Sequence, residues 1–187
     1  MKKIDFNDPG FKGFREGEDI LVDTGILLGY LNEYDSWHST VDKLFENHVF
    51  DEKKGIFLYI NPCILNEITH LVNEGKPIKE YIKKHPSEII TKEQREAIAN
   101  GTISAIQVLV ENKILLPLEG NEEVILKQLK CCKELGAADA YNASLAAWYG
   151  ISFLTIDNKL VINIENNLEE LGGIDILYYT TSVHKDY

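Results

Sequence analysis

Four carboxylates fall where an α/β protein builds its chemistry. Asp23 ends the apolar run Ile20-Leu21-Val22 and precedes Thr24-Gly25, and Asp157 ends Phe153-Leu154-Thr155-Ile156 and precedes Asn158-Lys159. Both positions are the carboxyl ends of expected parallel strands, the edge at which open α/β sheets place their sites. Glu67 lies about a turn and a half into an expected helix after the run Ile56–Ile60. Asp139 lies near the start of an alanine-rich stretch that precedes the run ending in Asp157. Two strand-end and two helix-borne acids can therefore converge on one point. Without cations such a cluster is unfavourable, because each carboxylate raises the pKa of its neighbours. Divalent cations remove that penalty, and Mg²⁺ and Mn²⁺ prefer hard oxygen ligands and keep several waters. A metal-activated water can attack a phosphodiester in line, with a second ion about 3.5–4 Å away stabilising the leaving oxygen. Any one of these acids alone reads more simply as an exposed charge or a helix N-terminal acid. The set of four at these positions points to a metal site.

Several neighbours are candidates to support it. Thr24 and Thr155 can hydrogen-bond the carboxylates or their waters, or serve as strand-end turn hydroxyls. Asn61, before Pro62, can orient Glu67 or touch substrate, or be an ordinary polar residue. Asn158 can contact a metal-bound water, or serve the turn after Asp157. His38, His48, His70, His85 and His184 show no metal-ligand spacing; His70, three residues after Glu67, falls on the same helix face. Cys63, Cys131 and Cys132 form no CxxC pair, so neither a structural zinc nor a redox site is expected. There is no GxxxxGK[ST] or GxGxxG loop for a nucleotide and no GxSxG elbow for a serine hydrolase.

The elements that must position these residues are legible as alternating short apolar runs and longer amphipathic stretches. Strands are expected at Ile20–Val22, Ile56–Ile60, Ile114–Leu116, Ser152–Thr155 and Ile176–Tyr179. Their continuous apolar character fits a buried parallel sheet, which requires crossover helices. A helix start is expected at Asp35-Ser36. Leu65, Ile68, Leu71 and Val72 repeat at helical spacing after Pro62, a good first-turn residue. A further helix carries Val124, Ile125 and Leu129 and ends at Gly136, and the next runs over Ala137–Tyr149 and stops at Gly150. Between about 75 and 112 lies a stretch that stands apart, with two expected helices, Ile78–Lys84 and Thr91–Val110. Its Lys76, Lys79, Lys83 and Lys84 form part of a local excess of positive charge. That excess is either a solvated face or a surface for a substrate, such as RNA phosphates, or for a partner.

The chain has 187 residues, enough for a single domain, with 44% hydrophobic and 26% charged residues, ordinary for a globular protein. No apolar run approaches the roughly 20 residues of a membrane span. The opening MKKIDFNDPGFKG carries no apolar signal core, so a cytoplasmic location is expected. The net charge of −11 opposes nucleic-acid binding, which normally draws on a basic surface.

Taken together these runs resemble the PIN-domain family. Ile20-Leu21-Val22-Asp23-Thr24-Gly25-Ile26-Leu27 is similar to its opening motif, an apolar strand ending in Asp-Thr or Asp-Ser. Ile60-Asn61-Pro62 through Asn66-Glu67-Ile68 resembles the second motif. Gly136-Ala137-Ala138-Asp139-Ala140 with Ala143-Ser144-Leu145-Ala146-Ala147 resembles the third, and Leu154-Thr155-Ile156-Asp157 the fourth. The resemblance spans about Asp19 to Tyr179 and rests on the order and spacing of the motifs. It implies an α/β, PIN-like three-layer domain with a central parallel sheet ordered 3-2-1-4-5 and flanked by helices. It also implies an Mg²⁺- or Mn²⁺-dependent endoribonuclease using Asp23, Glu67, Asp139 and Asp157. Many small PIN domains of this kind are VapC-type toxins held by a cognate antitoxin, and homodimers are common among them. The long stretch between Glu67 and Asp139 exceeds what a minimal toxin needs. The expectation is therefore a metal-dependent ribonuclease, a toxin first and a housekeeping RNA-processing enzyme second. The rival is a non-catalytic PIN-like module that binds RNA or protein. A phosphatase would need a nucleophilic Asp in a DxD pattern, which Asp23-Thr24-Gly25 does not provide.

Overall fold

The computed structural model describes residues 1–50 and 54–182. Six strands form one all-parallel sheet: β1 (Lys2–Asp5), β2 (Asp19–Val22), β3 (Phe57–Ile60), β4 (Leu115–Pro117), β5 (Ser152–Thr155) and β6 (Ile176–Tyr179), in the order β1-β6-β5-β2-β3-β4. This differs from the expected 3-2-1-4-5. A strand that the sequence did not announce, β1, pairs along the outer edge of β6, with Ile4 beside Tyr178. Counted from Asp19, the other five strands lie as 3-2-1-4-5. β1 reads Lys-Lys-Ile-Asp and is largely exposed, so no apolar run marks it. What holds it is pairing with β6 and the wholly buried Phe6 that follows.

β2 and β5 are the central strands, and their side chains from Ile20 to Val22 and from Ser152 to Thr155 are buried. That is why they read as continuous apolar runs and not as alternating ones. At their amino ends the buried Glu18 accepts hydrogen bonds from Ser152 Oγ (2.6 Å), Tyr178 Oη (2.9 Å) and the Arg15 backbone N–H (2.7 Å). One carboxylate thus ties together β2, β5 and β6 at the end of the sheet opposite the acids of interest.

The crossovers are helical. α1 (Thr24–Leu31) follows β2 directly, and α2 (His38–Leu44) continues into a π-helical turn, Phe45–Val49. Asp35 Oδ1 accepts the Trp37 N–H at 2.8 Å, so the chain turns at the expected helix start and α2 begins two residues later. α3 (Pro62–Asn73), α4 (Lys76–Lys84) and α5 (Lys92–Glu111) join β3 to β4. α6 (Glu122–Leu135) and α7 (Ala137–Tyr149) join β4 to β5, and α8 (Asn158–Asn166) with α9 (Leu168–Leu171) join β5 to β6. Gly136, at φ +88°, lets α6 turn straight into α7, a conformation that a side chain would strain. α1 packs on α2, α3 and α5, while α6 packs on α7, α8 and α9. Two helical groups about one parallel sheet are consistent with a three-layer α/β domain. No helix among the described residues is long and apolar enough to cross a membrane.

Candidate functional site

Pairing sets Val22 beside Leu154, so β2 and β5 end together. The Asp23 N–H donates to the Leu154 carbonyl at 2.9 Å, which places Asp23 at the seam between the two strand ends. Gly25 allows the following turn to close on β5: a Cβ there would lie 3.0 Å from Ile156 Cγ1. α3 and α7 bring Glu67 and Asp139 to the same place. The result is a cleft of about 450 Å³ lined by Asp23, Glu67, Asp139 and Asp157, with Thr24, Asn158, Lys76 and Lys159 among its other walls. The structure therefore brings all four sequence-selected acids to one cavity.

Two threonines fix the acids. Thr155 Oγ1 donates to Asp23 Oδ2 at 2.6 Å and accepts the Asp157 N–H at 3.0 Å, so it spans both strand-end acids. Thr24 Oγ1 donates to Glu67 Oε2 at 2.7 Å, tying α1 to α3. Asp23 Oδ1 accepts the Thr24 N–H at 2.8 Å, and Asp157 Oδ1 caps α8 through the Lys159 and Leu160 N–H groups at 2.8 and 3.0 Å. Asn158 is the first residue of α8, exposed on the cleft wall.

Electrostatics at this cleft are those of crowded acids. Burial raises the Asp23 carboxyl to about 7, the Thr155 hydrogen bond opposing it and the charges of Asp139 and Glu67 adding to it. Burial likewise raises Asp139 to about 6, with Glu67 and Asp157 pushing the same way and Lys159 against them. Among the described residues no three acidic, imidazole or thiol side chains are gathered tightly enough to close on a metal ion. The four acids line one cleft from four separate parts of the chain. Among the described residues no histidine or cysteine lines it, so the carboxylate donor set is all oxygen. That chemistry fits Mg²⁺ or Mn²⁺ and not a zinc centre.

Several sequence-selected residues lie elsewhere. Asn61 does not touch an acid: its Oδ1 caps α3 through the Cys63 and Ile64 N–H groups at 2.9 and 3.1 Å, and its Nδ2 donates to Asn142 Oδ1 at 2.9 Å. It is buried beneath the cleft, so it orients the helix that carries Glu67 and cannot reach substrate. His70 is exposed and pairs with Glu74 at 3.4 Å. Of the four lysines, only Lys76 lines the cleft. Lys79, Lys83 and Lys84 are farther along α4, and Lys84 Nζ donates to the Glu33 carbonyl at 3.0 Å. His184 lies outside the described residues. Lys159 was not selected from sequence, and its only signal was its place two residues after Asp157. No protein-family model, curated protein or solved structure matches the chain.

Proposed function

We propose that the protein is a PIN-like, Mg²⁺- or Mn²⁺-dependent endoribonuclease whose ion is held by Asp23, Glu67, Asp139 and Asp157. The observation that carries this reading is a single all-oxygen cleft at the carboxyl ends of the two central strands, lined by four carboxylates from four separate elements. A bound divalent ion supplies a Lewis acid that activates water and screens phosphate charge. The chain's own residues do the rest. Thr155 holds Asp23 and the Asp157 backbone in register, so both strand-end acids face the cleft together. Thr24 keeps Glu67 turned toward Asp23 and off the solvent side of α3. Asp139 and Asp23, whose carboxyls hold protons up to about 6 and 7, gain most from a cation that lets them ionise at neutral pH.

The toxin role, with RNA as substrate and an antitoxin as partner, rests on the resemblance to small toxin PIN domains. The exposed Ile125, Leu126 and Leu129 of α6 are the apolar face on which the expected pairing of two copies would rest. The rival non-catalytic module is favoured by the absence, among the described residues, of a pre-closed acid triad and by the net charge of −11.

Asp139→Asn separates the two readings, because among the described residues Asp139 makes no hydrogen bond that the fold would lose. Purified protein is expected to cut single-stranded RNA internally with Mg²⁺ or Mn²⁺ and to stop with EDTA. The variant is expected to lose more than about 100-fold in rate, since even the partners of metal ligands cost 10–100-fold. Metal-independent cleavage, or full activity in a folded Asp139→Asn protein, would establish another chemistry, and a folded wild-type protein that cuts no RNA with either ion would establish the non-catalytic module.

A further inference from the structure

Two lysines line the acidic cleft, and the crossovers that carry them start from the two strands that flank β2. Lys76 opens α4, in the crossover from β3 to β4, and Lys159 lies in the first turn of α8, in the crossover from β5 to β6. β2, which ends at Asp23, stands between β3 and β5 in the sheet. Among the described residues neither lysine makes a close ion pair, whereas Lys3, Lys92, Lys127 and Lys130 do, although Lys76 lies in the field of Glu80 one turn along α4. Lys76 and Lys159 both share the cleft with the four acids without being locked to one of them.

That placement runs against metal binding taken alone. An ammonium group beside carboxylates competes with the divalent ion they would hold, and it lowers the affinity of the site. It makes sense when a polyanion also occupies the cleft. In a chain of net charge −11, which repels nucleic acid at long range, unpaired cations at the cleft itself are where attraction has to be concentrated. A cation on each side of Asp23 matches a ligand whose negative charges recur along its length, as phosphates do along a single strand.

We propose that Lys76 and Lys159 form a phosphate clamp, their ammonium groups holding the backbone phosphates on either side of the bond presented to the acids. A single RNA strand then runs from α4, across the end of β2, to α8. The clamp rests on the nuclease reading above and adds to it the path and the groups that hold the substrate. Contacts of this kind set register and orientation without reading bases, so the clamp tolerates any sequence at those two phosphates. Lys79 and Lys83, outside the cleft, have no part in it.

The test is steady-state cleavage of a single-stranded RNA oligonucleotide with Mg²⁺ over a series of KCl concentrations. The proteins compared are wild type, Lys76→Gln, Lys159→Gln, their double variant, and a Lys79→Gln/Lys83→Gln control. Each phosphate contact on a single strand contributes about 0.7 to the slope of log affinity against log salt. Each cleft variant is expected to raise KM several-fold and to flatten the slope of log(kcat/KM) by about 0.7, and the double variant by about twice that. The control keeps the wild-type slope, and the half-saturating Mg²⁺ stays equal or falls. Wild-type KM and slope in both cleft variants overturn the clamp, as does an equal loss in the control, which would mean diffuse screening. A rise in half-saturating Mg²⁺ would assign the lysines to building the acid site and also overturn it. A wild-type protein that cuts no RNA overturns the nuclease reading itself, a result separate from any of these.

Discussion

Asp23 is buried at a seam of like charges, and that has a pH signature. Its folded carboxyl titrates at about 7, against an ordinary value of 3.8. Between those values the folded state holds a proton that the unfolded chain has lost, so stability from this group is full at about pH 4 and falls as pH rises toward 7. Asp139, raised to about 6, works in the same direction over a narrower window. The shift at Asp23 corresponds to a cost on the order of 4 kcal/mol above neutrality. Without divalent metal, Asp23→Asn is therefore expected to be more stable than wild type by roughly 2–4 kcal/mol at pH 8, with the advantage vanishing toward pH 4. Urea unfolding across that range reads it, and parallel pH profiles for the two proteins would rule the crowded-acid account out. The four acids were legible as residues because Asp23 and Asp157 end recognisable apolar runs and Glu67 and Asp139 lie in the helical stretches beside them. Their supporting hydroxyls were legible only as candidates, since a threonine after a strand looks the same whether its hydroxyl caps a turn or meets a carboxylate.

At the scale of elements, the helix ends decide how firmly the acids are placed. Asn61 caps α3 with one side of its amide and pairs with Asn142, fully buried on α7, with the other. Asn142 Nδ2 has no further protein partner, so losing Asn61 would leave both ends of that amide unmatched. Removing an N-cap costs about 1 kcal/mol, and orphaning a buried amide adds about 1–3 kcal/mol. Asn61→Ala is therefore expected to destabilise by roughly 2–4 kcal/mol, against about 1 kcal/mol for Thr91→Ala at the exposed cap of α5. Equal costs in denaturant unfolding would mean that the pair between α3 and α7 contributes nothing. The same scale shows where periodicity fails. α1, Thr-Gly-Ile-Leu-Leu-Gly-Tyr-Leu, is apolar all round and mostly buried, so it carries no stripe to distinguish a helix from a strand. α8 did carry a signal, Leu160, Val161 and Ile164 behind an Asp cap, but Asn158 directly after Asp157 reads equally well as a turn.

For the molecule as a whole, the acidic balance and the acid cleft make different claims on cations. A net charge of −11 means self-repulsion that any salt screens, whereas the proposed metal site would take a divalent ion in particular. Mg²⁺ at 100 times its dissociation constant stabilises by about 2.7 kcal/mol, or about 5–10 °C in Tm for a chain of this size. That gain is expected beyond what NaCl of matched ionic strength gives, and it is expected to be mostly lost in an Asp23→Asn/Asp157→Asn variant. Identical Tm shifts with Mg²⁺ and matched NaCl would remove the metal from the account.

By itself the sequence determined the α/β class, five of the six strands among the described residues, most of the helices there, and the four acids that line one cleft. These are local facts: an apolar run long enough for a buried strand, a cap, a carboxylate at the end of a run. Tertiary structure alone decided the rest. β1 has no apolar signature because an edge strand is held by its neighbour's backbone, and a backbone hydrogen bond leaves no mark on side-chain composition. Lys76 separated from Lys79, Lys83 and Lys84 because position along α4, not spacing on a helical face, determines which side chain reaches the cleft. Lys159 joined it because β5 lies beside β2, and so α8 starts next to Asp23. Which residues share a cleft is a property of strand order, and the pairing of β2 with β5 that decides it here joins segments more than a hundred residues apart in the chain.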